Sequence, residues 1–145
     1  KPDRFGWACA LRGARLAVGA PRADHGHLDS GSVHVFKLAS GLWAQEQILE
    51  ANDAYAEDLF GAALALSAST LVVGAEGKDS SAGQVYVWAR NAGVWTQVSK
   101  LRVGSGAPNN LFGHSVAVVG SERIFVGEPK YNANSGAMHV YAYSS

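Results

Sequence analysis

The sequence predicts an all-β fold made of repeated four-stranded antiparallel blades, and three observations predict it. First, one phrase occurs three times. It reads Asp3-Arg4-Phe5-Gly6, Leu16-Ala17-Val18-Gly19-Ala20-Pro21 and Ser30-Gly31-Ser32-Val33-His34-Val35-Phe36 in the first copy. Asp58-Leu59-Phe60-Gly61, Leu71-Val72-Val73-Gly74-Ala75-Glu76 and Ala82-Gly83-Gln84-Val85-Tyr86-Val87-Trp88 make the second, and Asn110-Leu111-Phe112-Gly113, Ile124-Phe125-Val126-Gly127-Glu128-Pro129 and Ser135-Gly136-Ala137-Met138-His139-Val140-Tyr141 the third. Second, the apolar runs are short, rich in Val, Tyr, Trp and Phe, and bounded by Gly, Ser, Asn and Asp, which is the composition of strands and turns. Third, no stretch carries helical periodicity. A repeat of about fifty residues built of such runs is a modular β architecture.

Within each copy the strands follow in order. Strand one comes after Phe-Gly: Trp7 to Leu11, Ala62 to Leu66 and His114 to Val118. One face is small (Ala8, Ala10; Ala63, Ala65; Ser115, Ala117), so backbones can crowd as they must near the axis of a radial assembly. Strand two is Arg15 to Val18, Thr70 to Val73 and Arg123 to Val126. It is apolar on both faces, which fits a sheet sandwiched between two others rather than one with a wet face. Strand three is Ser32 to Leu38, Gln84 to Ala89 and Ala137 to Tyr143. Strand four, Leu42 to Leu49 and Val94 to Leu101, is more polar and suits a solvent-facing outer edge. The gradient from small and apolar to polar describes a β-propeller blade, innermost strand first. Blade 1 spans residues 3–50, blade 2 spans 58–102, and blade 3 spans 110–143 without an outer strand, all in one propeller segment, 1–145.

Glycine punctuates each copy. Gly19, Gly74 and Gly127 are expected to end strand two, and Gly31, Gly83 and Gly136 to precede strand three, where a hairpin demands positive φ or a close backbone approach. Asp3, Asp58 and Asn110 are expected to bond the backbone amides that follow them, as Asx-turns.

The residues Phe5-Gly6 … Gly19-Ala20-Pro21, with Trp43…Leu49, Asp58-x-Phe60-Gly61, Val73-Gly74-Ala75 and Gly83-x-Val85-Tyr86-Val87, resemble the FG-GAP repeat of integrin α-subunit propellers, in its bacterial and environmental variant. Phe112-Gly113 and Gly127 complete the set in the third copy. The resemblance covers nearly the whole chain and implies extracellular adhesion or ligand binding. It also implies a calcium loop, Asp-x-Asp-x-Asp-Gly, between strands one and two. Here those loops read Arg12-Gly13-Ala14, Ser67-Ala68-Ser69 and Gly120-Ser121-Glu122. They are short and poor in carboxylates, whereas Ca²⁺ takes six to eight oxygen ligands, so no cofactor is expected.

Bulk properties narrow the function. Twelve basic and twelve acidic residues give zero net charge, and no basic stripe suits nucleic acid. No apolar run approaches the ~20 residues of a membrane-spanning helix. The chain begins at Lys1 rather than Met, as a processed protein or an excised fragment would. Cys9 is the single cysteine; it aligns with Leu64 and Val116 and reads as a small buried hydrophobe.

Asp24, His25, His27 and Asp29 form one metal-like cluster, capable of holding a transition metal; a solvated turn is the simpler reading, since Lys78-Asp79-Ser80-Ser81 and Tyr131-Asn132-Ala133-Asn134 at the same place lack histidine. His34, Tyr86 and His139 share one repeat position, and with Tyr141 are candidates for an interaction surface; inter-blade packing with a polar tip is the alternative. No nucleophile–base pair or recurrent carboxylate pair calls for catalysis.

Three blades cannot close a ring that takes typically four to eight. Both end faces are apolar, the outer edge of Ala137 to Tyr143 has no covering strand, and Lys1-Pro2 is too short to supply one. The expected partners are therefore a second copy, closing a six-bladed homodimer or extending a head-to-tail filament, or the rest of a longer propeller. A glycan or protein ligand at the loops of one end is the alternative function.

Overall fold

A computed structural model describes residues 2–104, 107–120 and 123–142. Lys1, the Ser121-Glu122 part of the third loop and the Tyr143 end of the last predicted strand lie outside the described residues. Three antiparallel sheets follow one another along the chain. The first has the order β1 (Cys9–Arg12), β2 (Arg15–Ala20), β3 (Ser32–Ala39), β4 (Leu42–Leu49). The second comprises β5 (Ala63–Leu66), β6 (Thr70–Ala75), β7 (Gln84–Asn91) and β8 (Val94–Leu101). Between β6 and β7 lies a single turn, α1 (Lys78–Ser81), in which Asp79 and Ser80 have left-handed backbone angles. The third sheet is β9 (Ser115–Val119), β10 (Arg123–Glu128) and β11 (Ala137–Ala142), with the matching turn α2 (Tyr131–Asn134). Each sheet is one propeller blade.

The innermost strands β1, β5 and β9 lie side by side, whereas β4 and β8 barely meet. The blades thus splay outward from an axis, as the small residues of strand one require. Both outer strands carry a register shift of β3 on β4 and β7 on β8 at equivalent places, Val35/Phe36 and Val87/Trp88.

Two apolar cores fill the gaps between blades. Ala17, Val33, Val35 and Leu49 of blade 1 meet Phe60, Leu71, Val73, Tyr86, Trp88 and Trp95 of blade 2. Val72, Val85 and Val87, on the other face of blade 2, meet Phe112, Ile124 and Val126 of blade 3. Leu71-Val72-Val73 therefore divides its side chains between two cores, which explains a strand apolar on both faces. We call the face turned to the preceding blade the leading face and its opposite the trailing face.

Three expectations need correction. Strand two does not end at its glycine: Gly19, Gly74 and Gly127 are paired inside it, opposite Val33, Val85 and Met138. The Asp58 carboxylate accepts from the Tyr55 amide, three residues earlier, at 2.8 Å, and not from the amides that follow; at the same place the Asn110 amide donates to Glu128 at 2.8 Å. Cys9 is exposed. It lies on the leading face of blade 1, while its counterpart Leu64 is packed against blade 1.

Candidate interaction site at the blade joints

The repeated phrase builds the contact between neighbouring blades. In blade 2 the residue before Phe-Gly turns through a left-handed conformation (Leu59, φ 58°), which aims its amide and the next at the preceding blade. Leu59 N–H donates to Asp29 O at 3.1 Å and Phe60 N–H to Ser30 O at 3.0 Å, joined by Glu57 N–H to Leu28 O at 2.8 Å. The second joint repeats the pattern: Leu111 to Ser81 at 2.9 Å, Phe112 to Ala82 at 3.0 Å and Asn109 to Ser80 at 3.1 Å. The amide of the following glycine turns back into its own blade, Gly61 to Gly74 O and Gly113 to Gly127 O, both at 3.1 Å.

Glycines on the trailing face make room for this. A Cβ on Gly19 would overlap the Gly61 carbonyl oxygen, and one on Gly31 would overlap the backbone of Phe60; Gly74 and Gly83 stand in the same relation to Gly113 and Phe112. Gly19 and Gly74 are thus glycine for close approach rather than for positive φ, while Gly31 and Gly83 need both (φ 86° and 88°).

Each Phe is clasped edge-on by strand three of its own blade. Phe60 stands 5.4 Å from Tyr86 and 6.3 Å from Trp88, Phe112 5.4 Å from His139 and 6.2 Å from Tyr141, and Phe5 5.2 Å from His34 and 6.4 Å from Phe36. The candidates His34, Tyr86, His139 and Tyr141 therefore lie on leading faces around the Phe rings. Tyr86 is fully buried, and the other three are half-buried.

Polar contacts ride on the rim of the first joint. Lys78 Nζ, nearly buried, bonds Asp58 Oδ2 at 2.8 Å and the Asp53 carbonyl at 2.6 Å. The Tyr86 hydroxyl donates to Asp53 at 3.0 Å, and Lys100 pairs with the same carboxylate at 2.8 Å. Burial pushes the Asp58 carboxyl up more than Lys78 pulls it down. Burial pushes on Asp53 too, but there Lys100, Tyr86 and Lys78 prevail and hold it below the usual range. Repeat reading missed Asp53, Lys78 and Lys100 because the third blade answers with different chemistry: Glu128, buried, takes Asn110 at 2.8 Å and His139 at 2.7 Å. The outer strands are clamped as well. The Gln47 amide both donates to and accepts from the Trp95 backbone at 2.9 Å, and Glu46 takes Arg90 at 2.8 Å and Arg15 at 3.4 Å.

The metal-like loop divides among separate partners. The Asp24 carboxylate accepts from the Asp29 amide at 2.8 Å, His25 pairs with Glu50 at 2.9 Å, and the His27 ring lies 5.5 Å from that of Tyr55. Arg22 approaches Asp29 at 3.9 Å. Among the described residues no group of three or more His, Cys, Asp or Glu side chains is placed to hold a metal ion, and no helix is long and apolar enough to cross a membrane.

Three consecutive blades joined by one repeated Phe-Gly contact define a β-propeller segment. The FG-GAP repeat matches residues 1–36, 43–88 and 95–141, and the chain belongs to that family. It is also 31% identical over 115 residues to integrin alpha-7 of Mus musculus, Rattus norvegicus and Homo sapiens. The matched region is 72% of this chain but only 9–10% of those proteins. The chain is an integrin-like propeller module.

Proposed function

We propose that the chain is a non-enzymatic adhesion module of the extracellular space or cell surface, working by protein–protein contact through its two end faces. One observation carries this. The leading face of blade 1 and the trailing face of blade 3 present residues that are buried wherever a joint is made. Phe60 and Phe112 are 0% and 1% exposed, but Phe5 is 57% exposed; Trp95 is 1% exposed, but Trp43 is 44%. On the other side Val33, Val35, Val85 and Val87 are all 0% exposed, but Met138 and Val140 are 68% and 52%. Exposed apolar faces of this kind mark partner contacts. The partner is a further blade, supplied by a second copy or by the rest of a longer propeller. Immobilising the chain and flowing the same chain over it tests the second copy as partner: saturable binding supports it, and no response at any concentration rules it out in favour of the longer propeller.

The reading includes no bound calcium. It is supported by connections of two and three residues, Gly13-Ala14 and 67–69, between strands one and two of the first two blades.

A second reading, binding of a polar ligand such as a glycan or a protein loop, is favoured by a hollow of about 810 Å³ beside the first joint, lined by Arg22, Asp53, Tyr55, Asp58, Lys78 and Asp79. It lies at the end of the segment where the β4–β5 and β6–β7 loops converge. A glycan array probed with the assembled protein separates the two: silence removes the carbohydrate form.

A further inference from the structure

We propose that the two joints are coupled through blade 2, and that Lys78 is the positioning residue that ties one to the other. The coupling runs along a belt of hydrogen bonds on the rim where the β4–β5 and β6–β7 loops converge.

The belt starts in the segment before Phe60-Gly61, where successive peptide units point to opposite sides. The amides of Glu57, Leu59 and Phe60 donate to Leu28, Asp29 and Ser30 of blade 1 and make the first joint. The Asp58 carbonyl, among them, faces its own blade and accepts from Gly77 N–H at 3.2 Å, at the start of turn α1. The same turn then makes the second joint: Ser80 O, Ser81 O and Ala82 O accept from Asn109, Leu111 and Phe112. The link between segment and turn recurs in the other blades, as Arg22 N–H to Asp3 O at 3.1 Å and Lys130 N–H to Asn110 O at 3.2 Å. In blade 2 the segment is thus bonded to the preceding blade on one side and to its own turn on the other, and that turn is bonded to the blade that follows.

Turn α1 transmits because it has little freedom. Asp79, Ser80 and Ser81 all have left-handed backbone angles (φ 53°, 60° and 62°). Such angles cost energy in L-residues and are kept only where the surroundings impose them. Ser81 N–H to Gly77 O and Gly83 N–H to Lys78 O, both 2.9 Å, close the turn on itself. A Cβ on Gly77 would overlap the Glu57 carbonyl oxygen, so turn and segment are in backbone contact.

A side chain reinforces this link. Lys78 is 7% exposed and Asp58 3%. Lys78 Nζ donates to the Asp58 carboxylate at 2.8 Å and to the Asp53 carbonyl at 2.6 Å. The first residue of the turn is therefore tied to the connection between blades 1 and 2, while the carbonyls two to four residues further on serve the second joint. Asp58, Lys78, Asp79 and Ser81 also line the hollow beside the first joint, whose wall is thus the link between the joints.

Residue-resolved amide hydrogen exchange of the whole chain tests the coupling with Lys78→Met, which keeps the apolar stem and removes the ammonium. The Asn109 and Leu111 amides, which belong to the second joint, should exchange about tenfold faster than in wild type, the effect of losing one hydrogen bond to a charged group. Amides paired within β6 and β10 should change by less than about twofold. Lys78→Met leaves a buried carboxylate without its partner, so Lys78→Met/Asp58→Asn, which leaves none, is measured beside it and should show the same pattern. Lys100→Met removes the exposed ammonium on the Asp53 carboxylate without touching the turn, and should leave Asn109 and Leu111 within about twofold of wild type. Asn109 and Leu111 amides as protected in both Lys78 variants as in wild type overturn the coupling, and so does acceleration spread evenly over β6 and β10. An equal effect of Lys100→Met overturns the assignment to Lys78.

Discussion

Gly19 of blade 1 lies directly against the Gly61 carbonyl oxygen of blade 2, with no space for a Cβ between them. Gly74 and Gly113 repeat the relation one blade later. The glycine of Val-Gly-Ala is therefore a statement about the neighbouring blade, not about its own hairpin.

Gly74→Ala tests this. The added methyl would overlap the Gly113 carbonyl of the next blade and crowd the Ala63 Cβ at 3.1 Å, so the blades must part or the strand must shift, a cost of about 2 kcal/mol or more. Gly104→Ala is the comparison, because nothing lies within 4 Å of a Cβ there; it should change stability by less than about 0.5 kcal/mol. Urea unfolding of the two variants checks both values.

Phe60→Ala and Phe5→Ala alter the same repeat position in opposite settings. Phe60 is fully buried between blades, and its removal should cost about 3–5 kcal/mol. Phe5 is exposed in the single copy, so truncating it at concentrations that keep the chain monomeric should cost less than about 1 kcal/mol. Equal losses would contradict the placement of the Phe rings.

The outer clamp is pH-dependent. Burial pushes the Glu46 carboxyl up, but Arg90 and Arg15 outweigh it and hold the group below its ordinary 4.5. A carboxyl with a lowered folded-state pKa contributes stability above its unfolded pKa and loses it as pH falls through the folded one. Wild type should thus exceed Glu46→Gln in stability at pH 7, and the gap should close as pH falls below about 4.5. Asp58, whose pKa is raised, acts with the opposite sign and is common to both proteins. A gap that widens on acidification contradicts the clamp.

Chelation should leave the protein unchanged. With connections of two and three residues where the family's calcium loop would sit, excess EDTA is expected to leave the melting temperature where it was. A fall of several degrees, reversed by Ca²⁺, would place a cation in the fold.

Much of the blade was legible in the sequence because a repeat reports its own alignment. The bounds of β4 and β8 coincide with the expected Leu42–Leu49 and Val94–Leu101, since Trp and Leu mark both ends. Gly19, read as a terminator, is instead paired inside β2: spacing along one chain cannot distinguish a glycine that turns from one that makes room for a neighbour. Cys9 was misplaced for a related reason. Leu64 is partly buried by the blade packed on its face, and the identity of a residue in the repeat does not report what packs on that face. The Asp53–Lys78–Lys100–Tyr86 rim stayed hidden because its members recur in no other blade, and the Glu128–His139 pair replaces it.

The central claim is that the Phe-Gly phrase builds the contact between neighbouring blades, and does so twice inside the chain. Residue-resolved amide hydrogen exchange tests it most directly. The amides of Phe60 and Phe112, which donate to Ser30 and Ala82 of the preceding blades, should be as well protected as the paired amides within the strands. Phe60 and Phe112 amides that exchange freely would contradict it.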